Sequence, residues 1–242
     1  MWLSVDPMWE KYAGMSPYNY CAGNPVKLVD PDGRKVRNKD QEEFLTYEKD
    51  VLIFEKNCPD LKLKDTDNEK YKQVNKNVRN QYESKKAMYN RLNIWKEKSA
   101  LRIEQFKTLM PEEFELLDNL PFDVFVTCNY QKYRNDGREY KYGAYTGFDD
   151  IGSGFVTIHL DPSFISLDPK RSYDNGDRLP HEGGHIYSFF LNKELYYKTN
   201  DPNGDCQEIS RTRTNLPYAV EKAIEWQNKF QLKSFDLRNQ GK

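Results

Sequence analysis

A chain of 242 residues with 14% aromatics and 31% charged residues has room for one or two domains and is too aromatic for a disordered tail. Lys+Arg at 37 against Asp+Glu at 38 gives a net charge of -1, which argues against nucleic-acid binding driven by bulk charge. No stretch approaches 18 apolar residues and no apolar segment opens the chain, so no membrane span or signal peptide is expected. The chain reads as cytoplasmic as written, with any export by a non-classical route.

Residues 1–37 are punctuated by turn chemistry. Asp6-Pro7, Ser16-Pro17, Asn24-Pro25 and Asp30-Pro31-Asp32-Gly33 break short aromatic and aliphatic runs, as in an irregular arm. Leu3-Ser4-Val5-Asp6-Pro7, Ser16-Pro17-Tyr18-Asn19-Tyr20-Cys21, Asn24-Pro25-Val26 and Asp30-Pro31-Asp32-Gly33-Arg34 closely resemble the C-terminal end of the RHS-repeat-associated core domain. In that family a variable toxin domain follows this mark. The resemblance implies that the chain beyond Arg34 is a toxin-like payload, with an immunity protein as its partner. Some family members cut themselves at such aspartates. The matching positions are Asp6 and Asp30, but the family's enclosing β-cage is absent here, and a leftover linker is the favoured reading.

Residues 38–118 read as a charged helical region. Phe44, Tyr47, Val51 and Phe54 recur at helical spacing, and Asn57-Cys58-Pro59 stops that helix. Thr66-Asp67-Asn68-Glu69 resembles a helix start, followed by a stripe of Tyr71, Val74, Val78 and Tyr82. Leu92, Trp95, Ile103, Phe106 and Met110 extend the stripe after a break expected near Asn90. The reading is a solvated helical hairpin with a tyrosine-rich inner face.

From residue 119 the period changes. Phe122–Cys128 and Gly154–Leu160 read as strands, and Asn135-Asp136-Gly137-Arg138 as the turn of a hairpin between Tyr130–Tyr133 and Tyr140–Tyr145. His159, in the second strand, is expected to be a packed or solvated side chain rather than a metal ligand. The four cysteines, Cys21, Cys58, Cys128 and Cys206, contain no C-x-x-C pair, so no cysteine zinc site or disulfide framework is indicated.

Two of the chain's 3 histidines fall in His181-Glu182-Gly183-Gly184-His185. Residues four apart on an α-helix lie only about 40° apart around the axis, so the two imidazoles can share one metal ion. Glu182, one step round, can reach a water as general base without ligating. Asp177 would cap the helix, with Pro180 confined to its first turn. The two glycines count against the helix, at about 1 kcal/mol each relative to Ala.

Strands followed by an H-E-x-x-H helix resemble the order of zincin-type metallopeptidases. The resemblance implies an α+β fold: a small antiparallel sheet, the H-E-x-x-H helix and a second ligand-bearing helix, with the helical hairpin ahead of them. In that family an edge strand before the helix holds extended substrate, and Phe155–Leu160 sits in the matching place. Residues 119–242 would form the catalytic domain, with 38–242 as one domain the alternative.

Catalytic zinc takes three protein ligands and one open position. No third histidine follows His185, so the remaining ligand is sought among carboxylates. Pro217 would open a helix whose apolar face is Ala219, Val220, Ala223, Trp226 and Phe230. Glu221 in its first turn is placed ahead of its rival Glu208 because Ala219 and Ala223 allow close helix approach. Glu225, one turn on, would orient a ligand histidine. The resulting expectation is a Zn²⁺-dependent peptidase with His181, His185 and Glu221 as ligands and Glu182 as base. It would act on a peptide or protein substrate, without nucleic acid or membrane. The rival reading is an inactive zincin-like relic that serves as a binding or structural module.

Overall fold

The computed structural model describes residues 36–62, 69–131, 143–148, 151–200, 206 and 215–240. The chain divides into two compact units, Met1–Arg34 and Lys35–Lys242, and every described residue belongs to the second. Asp6 and Asp30, like Glu208 and the turn at 135–138, lie outside the described residues.

This second unit is α+β. Val36–Asn38 forms strand β1, so residues 36 and 37, expected in the arm, belong to the sheet. Asn38 then caps helix α1 (Lys39–Asn57) by accepting the Gln41 amide at 3.1 Å. The helix buries Phe44 and Val51 and stops at Cys58, ahead of Pro59. After the short α2 (Glu69–Gln73), the Asn75 side chain caps α3 (Lys76–Leu109).

Helix α3 runs 34 residues without the break expected near Asn90. Leu92, Ser99 and Phe106, each seven apart, are all buried and keep one face inward through that point. It pairs with α1 as the anticipated hairpin. Phe44 stacks on Tyr89 at 5.0 Å, and the Tyr82 hydroxyl donates to Glu55 at 2.9 Å. Val51, Leu61, Tyr71 and Tyr82 form a small core of their own. Helix α4 (Pro111–Asp118) opens on proline, whose missing N–H is not needed there.

Strands β2 (Asp123–Thr127), β3 (Ala144–Gly147) and β4 (Phe155–Leu160) complete a sheet of order β1-β2-β4-β3. β1 runs parallel to β2, and β2 parallel to β4 with Val126 opposite Ile158. Only β3 runs antiparallel, alongside β4. This corrects the expected antiparallel sheet. Parallel neighbours need a long crossover, and α1 to α4 supply it between β1 and β2. It also moves the edge: Phe155–Leu160 is paired on both sides, and among the described residues β3 is the edge strand nearest the H-E-x-x-H helix.

Phe106, Leu117, Val124, Val126, Ile158, Leu179, Ile186, Trp226 and Phe230 belong to one buried cluster. The helical region and the sheet therefore share a core. A buried polar tie adds to it: Asp40 of α1 accepts the Ser99 hydroxyl, the Thr127 hydroxyl at 2.6 Å and the Cys128 amide at 2.7 Å. Among the described residues, no helix is long and apolar enough to cross a membrane.

Candidate metal centre

Helix α5 (Arg178–Leu191) carries the histidine pair. Asp177 occupies the cap position but is itself helical (φ -67, ψ -12), and its side chain does not cap. Its carbonyl accepts the His181 amide at 3.0 Å, so the helix is already formed at the first histidine. Pro180 lies within the first turn, where it displaces no helical hydrogen bond. Helix α6 (Lys193–Thr199) follows, capped by Asn192, and α7 (Tyr218–Gln240) returns across α5.

The two glycines follow from this crossing. A methyl group at Gly184 would stand 2.6 Å from the Ala223 Cα, the Ala223 nitrogen and the Lys222 carbonyl oxygen. One at Gly183 would meet Leu117 Cδ1 at 2.8 Å and Trp226 Cζ3 at 3.2 Å. The helix-weakening residues are what lets α7 approach α5 so closely.

His181, Glu182 and His185 are all buried. His181 Nδ1 is 3.0 Å from Gln227 Oε1, and Gln227 Nε2 donates to Asp177 Oδ2 at 2.8 Å. That second bond fixes the amide so that its oxygen faces the imidazole. The Asp177 carboxylate is thus spent on Gln227, and on Gln231 at 2.7 Å, rather than on capping α5. His185 Nδ1 donates to the Ala219 carbonyl at 2.7 Å. Both Nδ1 atoms therefore carry the proton, and both Nε2 atoms present lone pairs.

These two Nε2 atoms are 3.3 Å apart. With neither carrying a hydrogen, the contact is lone pair against lone pair, favourable only with a cation or a proton between them. Cys206 Sγ lies 3.6 Å from His185 Nε2, and all three ligand atoms lie within 4.8 Å of one another. Among the described residues this is the one group of three metal-ligating side chains. Burial holds the imidazoles in their neutral form: it lowers His181 to about 4 and His185, helped by His181, to about 3.

Glu182 stands beside this cluster. Its Oε2 accepts the Thr146 hydroxyl of β3 at 2.6 Å. Burial raises its carboxyl to about 7 against the pull of that bond. His181, Glu182 and His185 lie on α5, and His181, Glu182 and Cys206 line a cavity of about 830 Å³.

Glu221 and Glu225 do not reach the cluster. Ala219 and Ala223, the residues that admit the close approach, face α5; Glu221 lies two residues from each, about 200° around the helix, and is exposed. Glu225 is exposed for the same reason and pairs with Lys222 at 2.7 Å. The residue one turn beyond Ala223 on the buried face is Gln227, which takes the orienting part expected of Glu225. His159 is outside the cluster: its Nδ1 is 2.6 Å from the Asn129 carbonyl, and its ring stacks on Tyr145 at 4.5 Å. Cys206 and Gln227 were not predicted from the sequence. The helical phase of α7 was a signal for Gln227, whereas a single cysteine 21 residues after His185 gave none.

Comparison with protein-family models, with curated proteins and with solved structures finds no match.

Proposed function

We propose that the unit Lys35–Lys242 is a zinc-dependent peptidase and the payload of an RHS-type toxin. The observation that carries the metal is the pair of imidazole lone pairs facing each other, with a thiol sulfur alongside. Bonds of about 2.0–2.1 Å to nitrogen and about 2.3 Å to sulfur at tetrahedral angles separate two nitrogens by about 3.3 Å and nitrogen from sulfur by about 3.6 Å. Two of the three spacings here are 3.3 and 3.6 Å, and the remaining pair, His181 and Cys206, lies within 4.8 Å. The donor set fits zinc, with Cys206 as thiolate in the place expected for Glu221. Two imidazoles and one thiolate leave a fourth position open, as catalytic zinc requires.

A zinc ion held there would polarise a substrate carbonyl and acidify water to a pKa of about 7. Glu182 is the base. Thr146 occupies Oε2, which leaves Oε1 to take the proton from the attacking water and pass it to the leaving amine. A carboxylate held in place by Thr146 is positioned to do both. Gln227 and the Ala219 carbonyl keep the imidazoles turned with Nε2 inward. β3, the outermost described strand on that side of the sheet, holds Glu182 through Thr146 and is the strand beside which an extended peptide would lie. The RHS-like motifs of residues 3–34 support the toxin context, with an immunity protein as partner.

The test is Glu182→Gln. Zinc content and thermal stability are expected to match wild type, while cleavage of a peptide library, read by mass spectrometry, is lost. Undiminished cleavage by the variant would contradict the mechanism.

A further inference from the structure

We infer that Arg178 recognises a carboxylate of the substrate, so that the cavity beside Glu182 selects peptides with an acidic side chain or a free C-terminus next to the scissile bond. The inference rests on the hydrolase reading for the identity of the substrate.

Arg178 lines the same cavity as His181 and Glu182. It precedes Glu182 by four residues on α5, so the two side chains share a face about 6 Å apart along the axis. Its guanidinium is poorly satisfied. The one hydrogen bond it makes among the described residues is a long one, Nη2 to Asn175 Oδ1 at 3.4 Å. Nε is buried with no acceptor. The planar group lies over the Phe164 ring at 4.7 Å, which fixes its orientation without neutralising its charge.

The neighbouring carboxylates are engaged elsewhere. Asp177 accepts from Gln227 and Gln231. Asp174 pairs with Arg171 at 3.4 Å and Arg238 at 3.6 Å. Asp161 accepts the Ser163 amide at 2.8 Å and its hydroxyl at 2.7 Å. Glu182 is held by Thr146. Arg102 makes the contrast clear: it is a buried guanidinium satisfied by the carbonyls of Ser172 and Asp174, both at 2.6 Å, with Phe164 at 3.2 Å. Arg102 pins the loop, whereas Arg178 is oriented by Phe164 with its charge left for a ligand. A planar fork in a semi-enclosed cavity matches a carboxylate.

The experiment measures binding of N-acetylated tetra-alanine peptides, by ligand-observed NMR, to protein carrying Glu182→Gln so that none is consumed. One peptide is a neutral amide, one has a free C-terminal carboxylate, and one is amidated with aspartate in its third position. At least one carboxylate peptide is expected to bind more tightly than the neutral one. Adding Arg178→Gln is expected to weaken that peptide by about tenfold to a hundredfold and leave the neutral one unchanged. Arg178→Lys keeps the charge without the fork and is expected to fall between, with an unchanged melting curve that shows the fold intact. Whichever carboxylate peptide responds identifies the source as side chain or terminus. Equal binding of all three peptides, no binding of any, or indifference to both Arg178 variants would overturn the inference. Failure of the hydrolase reading looks different: wild type would hold no zinc and cleave nothing, while carboxylate discrimination through Arg178 persisted.

Discussion

Gly184→Ala puts two effects of opposite sign against each other. Helix propensity alone favours the alanine by about 1 kcal/mol. The new methyl, however, would stand 2.6 Å from three backbone atoms of α7, at Ala223 and Lys222. None of these can rotate away, so α7 must withdraw by about 1 Å to restore ordinary contact. Overpacking of this kind costs about 1–3 kcal/mol, and three backbone contacts at once put it at the upper end. The net expectation is a loss of about 2 kcal/mol, or a melting point about 4–8 °C lower for a unit of this size. The same withdrawal lengthens the 2.7 Å bond from His185 to the Ala219 carbonyl, so zinc affinity should fall about tenfold or more. Gly183→Ala is the control. Its methyl meets the ends of Leu117 and Trp226, which can give, so the loss should be smaller and zinc affinity kept. Thermal melts and chelator competition on both variants read the outcome. A Gly184→Ala protein that melts at or above wild type would refute the close crossing of α5 and α7.

Three further outcomes follow from the site. Gln227→Ala removes the acceptor that holds His181, and chelator competition should show zinc affinity about 10–100-fold weaker. Glu221→Ala and Glu225→Ala, on the exposed face of α7, should leave zinc affinity unchanged and stability within about 0.5 kcal/mol in the same assay. Zinc-free protein should lose stability in acid. Its histidines, at about 4 and about 3 folded against 6.5 unfolded, stay neutral while the unfolded chain takes up protons, so their contribution is complete above 6.5 and falls with pH. Glu182, raised from 4.5 to about 7, runs the other way and offsets one proton between pH 7 and 4.5. Urea midpoints should therefore decline gently to about pH 4.5 and steeply below it, and a His181→Asn, His185→Asn double variant should lack that decline.

The sequence was informative wherever local chemistry decides the outcome. The stop at Cys58-Pro59, the stripe of Phe44 and Val51, the proline-led α4 and the histidine spacing depend on a few neighbouring residues, and all are read directly. The break expected near Asn90 failed because Leu92, Ser99 and Phe106 keep α3 packed on one side whatever the local propensity. The expected antiparallel sheet failed because β1 is three residues long and pairs in parallel with β2 some 88 positions away, Val36 opposite Val124. Glu221 was misplaced on helical phase. Ala219 and Ala223 were correctly identified as the approach face, but a residue two steps away points outward. Cys206 reaches His185 only through tertiary folding. The two glycines, which counted against the motif, mark the place where a second helix must come closest.

The central claim is that His181, His185 and Cys206 together hold one zinc ion. Zinc bound per chain, measured by elemental analysis on protein purified without chelator and then reloaded, tests it most directly in wild type beside Cys206→Ser. The account predicts about one zinc per wild-type chain and far weaker retention in Cys206→Ser at an unchanged far-UV spectrum. Wild-type protein that is metal-free and cannot be reloaded, or a Cys206→Ser protein that holds zinc as tightly as wild type, would contradict it.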